Sequence, residues 1–301
     1  MKVLKKKSET NIVHSLKIIV FIVSMGLLFS CETEEFSQQE EIPLSGLTKQ
    51  EQIDVAKLGF RPGETEKIKV KGADGVTKDY YLYSDMKVPV SALKDLIAYA
   101  DESLSKDESF KLTRTYNTAA GNRRYNVVFV GFEPGFQRQA AGDMIWLFNN
   151  VLRTTIRLDI KFVNNQQQLE NTPRDIYIDI RNLGGDIFAI SDVPFRSKPG
   201  ERISINRKKM NKMSTRANLR EVLMHEILHT FGMNHSDWRT NRSCGVNIAD
   251  PSIETIGAVP IGGANASGNN LDSIMLACGE LVGRGFMPDD IASMRGVYGF
   301  K

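Results

Sequence analysis

MHEILHTFGMNHSD, residues 224–237, is the stretch of this 301-residue chain that decides its fold and its chemistry. His225 and His229 are four residues apart, so on a helix they project from the same face and can share a metal ion. Gly232 follows three residues later and can take the left-handed backbone conformation that ends a helix and turns the chain. That turn brings His235 towards the other two imidazoles. The spacing therefore predicts a metal site with three histidine ligands.

The ion that this ligand set favours is zinc, one per chain. Zinc binds imidazole nitrogen at about 2.0–2.1 Å in a tetrahedron, and three protein ligands leave one corner open, which is typical of a catalytic site. Glu226 lies next to His225 on the helix, where it can accept a proton from water without binding the metal. Satisfied surface or core histidines are the alternative. A bare HExxH is weak evidence, but five fixed residues in eleven are specific, and of the four histidines only His14 lies elsewhere.

The first thirty residues have the composition of a targeting segment. Lysines precede an apolar run of about a dozen residues, 18–29, which is shorter than the roughly 20 that a spanning helix needs. The Ser30-Cys31 pair that follows resembles a bacterial lipobox, in which the cysteine is lipidated. This implies a signal peptide over 1–30, lipidation at Cys31 and a tether over 31–46, with ordinary signal peptidase cleavage as the alternative. We expect a cell-envelope lipoprotein of the outer membrane or cell surface of a bacterium.

The net charge of the chain, formally +3, comes from this targeting segment. The segment holds five lysines and one glutamate, so without it the basic and acidic residues nearly balance. A nucleic-acid partner therefore has no electrostatic support. The expected partners are a protein or peptide substrate and, through the lipid anchor, a membrane.

The rest of the chain predicts two regions. Residues 47–118 are expected to form a small N-terminal domain or propeptide, with helices over 47–58 and 90–104 and strands near 68–70 and 80–83. Residues 119–301 are expected to form the domain that carries the zinc site. Its predicted strands are 125–132, 159–163, 175–180, 187–195 and 202–206, and its predicted helices are 140–156 and 217–231. This order predicts an α/β layout with helices covering one mixed sheet.

The pattern HExxHxxGxxH resembles the signature of metzincin metallopeptidases. A nearer match is the dual-action HEIGH metallopeptidase family, whose HEIGHTxGxRHTDW leads into one cysteine and whose Ser-x-Met turn leads into a second. The corresponding stretches here are HEILHTFGMNHSDW (225–238) before Cys244, and SIMLAC (273–278). Leu228 replaces the family's glycine. The resemblance implies an α/β (α+β) metzincin-like fold: a mixed twisted sheet with an active-site helix below the cleft, plus a small N-terminal domain.

The resemblance also implies roles for residues outside the histidine motif. Met275 is expected to lie in the methionine turn beneath the metal. The C-terminal segment is similar to the closing helix of matrixins, so Asp290 is expected to bond the backbone of that turn, with simple helix capping as the alternative. Asp237 is expected to support the site without binding the metal. A Cys244–Cys278 disulfide is implied, with two free thiols or zinc ligation by the cysteines as alternatives.

These expectations combine into a zinc-dependent metalloendopeptidase of metzincin type that hydrolyses peptide bonds with a metal-activated water. A zinc hydrolase of cell-wall peptides and a non-catalytic surface binding module are the alternatives, although a binder has no need of Glu226. In metzincins an extended substrate pairs with an edge strand above the cleft, and 187–195 is the expected edge strand. No cysteine lies between Cys31 and Cys244, which excludes a cysteine switch supplied by residues 47–118.

Overall fold

A computed structural model describes residues 46–72, 74–104, 123–195, 198–213, 215–245, 261 and 270–301. The predicted signal peptide, Cys31 and nearly all of the tether lie outside the described residues, so the lipoprotein reading stays a prediction. Within the described ranges, no helix has the length and apolar character needed to cross a membrane.

One eight-stranded mixed sheet runs through the described residues. Its strands are β1 (Thr65–Lys71), β2 (Thr77–Tyr83), β3 (Met86–Pro89), β4 (Arg123–Val130), β5 (Ile156–Val163), β6 (Ile176–Arg181), β7 (Ala189–Asp192) and β8 (Arg202–Asn206). They lie side by side in the order β1-β2-β3-β7-β8-β6-β4-β5. Strands β8, β6, β4 and β5 are mutually parallel, whereas β7 is antiparallel to β8. The predicted mixed α/β fold is confirmed.

The helices are α1 (Lys49–Lys57), α2 (Leu93–Leu104), α3 (Phe136–Leu147), α4 (Gln166–Glu170), α5 (Arg207–Met210), α6 (Arg216–Thr230) and α7 (Pro288–Tyr298). Helix α3 continues into a π-helical turn, Phe148–Leu152. The helix predicted over 140–156 ends there because Arg153 takes a left-handed φ of 51°, which redirects the chain into β5.

The main core lies between the parallel strands and helices α3 and α6. Val127 and Phe129 of β4 point into it, and Leu223 and Ile227 of α6 meet them there, all fully buried. The intervening Val128 belongs to a cluster on the other face of the sheet, as strand alternation requires. Each such side chain contributes about 1.5–3 kcal/mol when fully buried. The apolar face of α6 therefore fixes the orientation of the helix that carries His225 and His229.

The N-terminal segment, which we define as residues 46–104, extends this sheet. Strands β1, β2 and β3 form an antiparallel meander, and β3 then pairs in parallel with β7. A second apolar core joins α1, β2, β3 and α2, and Val193 beyond β7 completes it. The prediction that 187–195 is an edge strand is wrong for this chain, because β3 covers the outer side of β7.

Candidate active site

Helix α6 presents two of the predicted metal ligands. The Thr215 side chain caps its first turn by accepting a hydrogen bond from the Asn218 N–H at 3.2 Å. The Nε2 atoms of His225 and His229 are 3.0 Å apart on one face of the helix. The helix ends at Thr230, and the chain turns at Gly232, whose φ of 88° lies in the left-handed region and whose N–H donates to the His229 carbonyl at 2.9 Å. The predicted turn is therefore present.

Four potential ligand atoms meet where this turn returns the chain. They belong to the three predicted histidines and to Asp85, which lies in the tight turn between β2 and β3, and all four lie within 4.8 Å of one another. The Asp85 carboxylate is 3.1 Å from His225 Nε2, 3.3 Å from His229 Nε2 and 3.0 Å from His235 Nε2. The structure thus brings together the residues that the sequence predicted and adds an aspartate that it did not.

The spacing of these atoms fits a tetrahedral metal ion. Ligands about 2.0–2.1 Å from a common centre at tetrahedral angles lie about 3.3 Å from one another. His235 Nε2 and Asp85 Oδ1 are only 3.0 Å apart, yet neither forms a well-oriented hydrogen bond within the described part of the chain. Close approach without a well-oriented hydrogen bond is expected of atoms that point at a common centre rather than at each other. The residues present therefore fit a zinc ion.

The imidazole rings of α6 are oriented by backbone carbonyls. The Nδ1 of His225 lies 2.7 Å from the Ile274 carbonyl oxygen, and the Nδ1 of His229 lies 2.6 Å from that of Met233. Since a carbonyl can only accept, both Nδ1 atoms carry a proton, and Nε2 is the atom that each ring offers to a metal. Burial lowers the pKa of His229 to about 4, which keeps that imidazole neutral.

Glu226 is buried beside the cluster, where Ser191 of β7 donates a hydroxyl hydrogen bond to its carboxylate. Burial raises the pKa of Glu226 to about 8, and the nearby Asp85 carboxylate acts in the same direction. A carboxyl group with a pKa near neutrality suits a residue that must both accept and return a proton. The sequence indicated the glutamate but not its serine partner, which only the packing of α6 under β7 provides.

The turn at residues 273–275 lies against both histidine-bearing segments. The Ile274 carbonyl holds the His225 ring, and the Met275 carbonyl accepts from the Ser236 N–H at 2.6 Å. Asp290 at the start of α7 accepts from the Ser273 hydroxyl, from the Ile274 N–H at 3.2 Å and from the Met287 N–H at 2.8 Å. It therefore bonds the turn backbone and caps α7 at once, so that both readings of Asp290 describe its contacts.

Asp237 and the cysteines join the segments on either side of the site. Asp237 is fully buried and accepts from the Ser243 N–H at 2.8 Å and the Ala277 N–H at 3.1 Å. Cys244 and Cys278 form a disulfide bond, as predicted. In the described ranges the group able to hold a metal consists of the three histidines and Asp85, so Asp237 lies outside it, as expected.

A cavity of about 440 Å³ opens beside the cluster. Its walls include Asp85, His225 and Glu226, together with residues 276–281, which follow the turn at 273–275. Glu221, one turn before His225 on α6, fixes that segment by accepting from the Gly283 N–H at 2.6 Å and from the Arg284 N–H at 3.0 Å. The sequence analysis missed Glu221, since its partners are distant in the chain.

Comparison with known proteins identifies the class. A cluster of three histidines, two of them buried, with a buried glutamate beside it is the arrangement of a metallopeptidase. The family model of the dual-action HEIGH metallo-peptidases matches residues 81–298, and this chain belongs to that family. It is thus a metallopeptidase, and the metal that the family and the cluster indicate is zinc.

Two solved structures of myroilysin are also similar to this chain. The first is 13% identical with a TM-score of 0.37, covering 60% of this chain and 95% of that one. The second is 11% identical with a TM-score of 0.31, covering 61% and 93% respectively. No curated protein matches.

Proposed function

We propose that this metallopeptidase is a zinc endopeptidase of the metzincin type that holds one zinc ion through His225, His229 and His235. The observation that carries the proposal is the convergence of three imidazole rings, whose ligand atoms lie within 4.8 Å of one another beside the buried Glu226. Two of the rings are held by carbonyls that leave Nε2 free. A purely structural zinc site has no use for a buried base alongside it.

The residues of the chain divide the reaction between them. When bound, zinc supplies Lewis-acid chemistry, because it polarises the scissile carbonyl and makes water more acidic. Glu226 accepts a proton from the water that attacks the carbonyl carbon, and then gives a proton to the amide nitrogen, which leaves as the amine. The Ser191 hydroxyl holds the Glu226 carboxylate in position. The burial of Glu226 keeps bulk water from competing for that proton.

Replacement of Glu226 by Gln tests this proposal. The side chain keeps its size but cannot accept a proton, so kcat/KM for a peptide library should fall by about 10²–10⁴-fold. Zinc content by elemental analysis should stay at one per chain, since no ligand changes. Glu201→Gln is the matched control because Glu201 is exposed. Unchanged cleavage by Glu226→Gln, or a parent protein without metal after growth in zinc-replete medium, would contradict the proposal.

We further propose that the enzyme is a lipoprotein of the cell envelope, anchored through Cys31. The support is the sequence of the first 31 residues, in which lysines, an apolar run and a cysteine follow one another. Mass spectrometry of the protein from membranes should find diacylglycerol on Cys31, and Cys31→Ala should move it to the soluble fraction. An unmodified cysteine in membrane-extracted protein would count against the anchor.

A further inference from the structure

Asp85 is the member of the metal cluster that no histidine motif explains. It stands in the turn between β2 and β3, and its two oxygens contact all three histidine Nε2 atoms at 3.0–3.3 Å. Its Oδ1 forms no hydrogen bond among the described residues and is buried. Its Oδ1 faces His229 and His235 and its Oδ2 faces His225, so the carboxylate takes the place of a fourth ligand. Three histidines alone leave that corner for water and substrate.

We propose that Asp85 is a fourth ligand of the bound metal, supplied by the N-terminal segment, and that this ligand closes the catalytic site of the intact chain. The inference rests on the proposed function, because it requires the three histidines to hold the ion. The chain contains no cysteine between residues 31 and 244. A carboxylate is therefore the ligand by which this segment occupies the open corner.

The backbone around Asp85 occupies the substrate side of the site as well. The Ser191 N–H donates to the Asp85 carbonyl at 2.7 Å, and the Val193 N–H donates to the Lys87 carbonyl at 3.3 Å. The first of these N–H groups belongs to Ser191, whose side chain holds Glu226, and the second follows the end of β7 directly. An extended substrate that adds to β7 needs the same N–H groups. Strand β3 therefore competes with substrate through main-chain hydrogen bonds while Asp85 fills the metal corner.

Side-chain contacts hold β3 in this place. Lys87 is fully buried, and its ammonium lies 3.0 Å from the carboxylate of Asp192 on β7. Leaving one partner of such a pair buried and alone is strongly unfavourable. Arg61 of the same segment donates to the carbonyls of Trp238, at 3.3 Å, and Arg239, at 2.7 Å, just beyond the third histidine. The segment thus contacts β7 through Lys87 and the chain after His235 through Arg61, and these contacts hold Asp85 at the histidines.

The test is Asp85→Asn in the full mature chain, because an amide has nearly the volume of a carboxylate but is a poor zinc ligand. Cobalt(II) replaces zinc as the probe, and its visible absorption reports the ligand set. We expect the spectrum of Asp85→Asn to differ from that of the parent. We expect zinc to pass to a chelator about tenfold faster or more, and peptide cleavage to rise by a similar factor.

Asp79→Asn is the matched control. Asp79 is an acidic residue on β2 of the same segment, but it is exposed and pairs with Lys69 away from the cluster. The cobalt spectrum of Asp79→Asn, its rate of zinc transfer to the chelator and its rate of peptide cleavage should equal those of the parent. Circular dichroism compares the folded state of all the variants. Adding Glu226→Gln to Asp85→Asn should remove the gained cleavage, which ties the gain to the same site.

The outcomes separate this inference from the function on which it rests. A changed cobalt spectrum, or loss of metal from Asp85→Asn alone, assigns the ligand to Asp85. Identical cobalt spectra for the parent and Asp85→Asn, with one metal in each, would overturn the inference and leave the three-histidine site standing. Absence of metal from both proteins would overturn the proposed function and this inference with it.

Discussion

At the scale of single residues, Asp290 shows how one carboxylate can join two segments. It accepts from the Ser273 hydroxyl, the Ile274 N–H and the Met287 N–H, and it is nearly fully buried. Burial raises the pKa of its carboxyl group, although these hydrogen bonds oppose the shift. The turn that orients the His225 ring therefore depends on a residue near the C-terminus of the chain.

Asp290→Ala should lower the free energy of unfolding by about 2–4 kcal/mol, because it leaves buried donors without an acceptor. Urea unfolding followed by circular dichroism measures the change. Asp272→Ala on the exposed part of the same loop is the control and should stay within about 0.5 kcal/mol of the parent. Equal midpoints for the two variants would show that Asp290 does not stabilise the turn.

Residues differ in how far the sequence could predict them. The three histidines, Glu226 and Gly232 are local to one helix and one turn, so their spacing alone indicated where they meet. Asp85 carries no such signal, because a single acid in a turn is common. Only the pairing of β3 with β7 brings it to the histidines, and that pairing is non-local.

At the scale of elements, α6 was predictable and β3 was not. Helix α6 has a capping threonine, helical apolar spacing and a terminating glycine, each of which is a local signal. Strand β3 has only four residues, including Pro89 and the buried Lys87. Lysine and proline are depleted from strands. The position of β3 depends on Asp192, a partner far along the chain, so no local pattern reveals it.

Strand β6 carries a buried charge network that links it to its neighbours. Asp179 accepts from Arg202 at 3.0 Å, from Arg181 at 2.8 Å and from Ser204 at 2.7 Å. Both arginines also donate to the carbonyl of Lys71 at the end of β1. Asp179 thus fixes the groups that tie the N-terminal segment to the peptidase sheet.

This network predicts a specific pH dependence of stability. Burial acts to raise the pKa of Asp179, but Arg202, Arg181 and the Ser204 hydroxyl outweigh it and lower the pKa below its usual value. A carboxyl group with a depressed folded-state pKa stabilises the fold above its unfolded-state pKa of about 3.9, and this contribution is lost as the pH falls further. Urea unfolding at pH 7 and at pH 3 measures this contribution to the free energy of unfolding.

Asp179→Asn should therefore be less stable than the parent by about 3–5 kcal/mol at pH 7, since it breaks a buried ion pair. The difference should shrink at pH 3, because below a pKa of about 3.9 the unfolded parent takes up a proton that its folded state resists, whereas Asn takes up none. Asp159→Asn is the control, because its pair with Arg124 is exposed. A deficit of the same size at both pH values would rule out a charge effect.

At the scale of the whole molecule, the metal cluster joins parts of the fold that are far apart in the sequence. Its side chains come from the β2–β3 turn, from α6 and from the segment after Gly232. An ion that binds only the native state stabilises it by mass action, by about 2.7 kcal/mol at 100 times its dissociation constant. The folded chain should therefore be more stable with zinc than without it.

Removal of zinc by 1,10-phenanthroline should lower the Tm by several degrees, and addition of one equivalent of zinc should restore it. Differential scanning calorimetry measures the shift. Magnesium serves as the control ion, because it prefers oxygen ligands and octahedral geometry. A Tm insensitive to both chelator and zinc would mean that the cluster does not bind the ion in the native state.

Because β3 belongs to the same sheet as β7, a cut in the chain between α2 and β4 would leave the N-terminal segment attached only by non-covalent contacts. Strand β3 and β7 meet through hydrogen bonds and the Lys87–Asp192 pair, not through a covalent link. While the chain is whole, linkage gives the segment an effective local concentration near the millimolar range. After a cut, the fraction of enzyme molecules that keep the segment bound depends on its dissociation constant and on the protein concentration. If Asp85 closes the site as proposed, we expect the cut segment to act as an inhibitor in trans, and dilution of the nicked enzyme alone should raise its turnover per molecule.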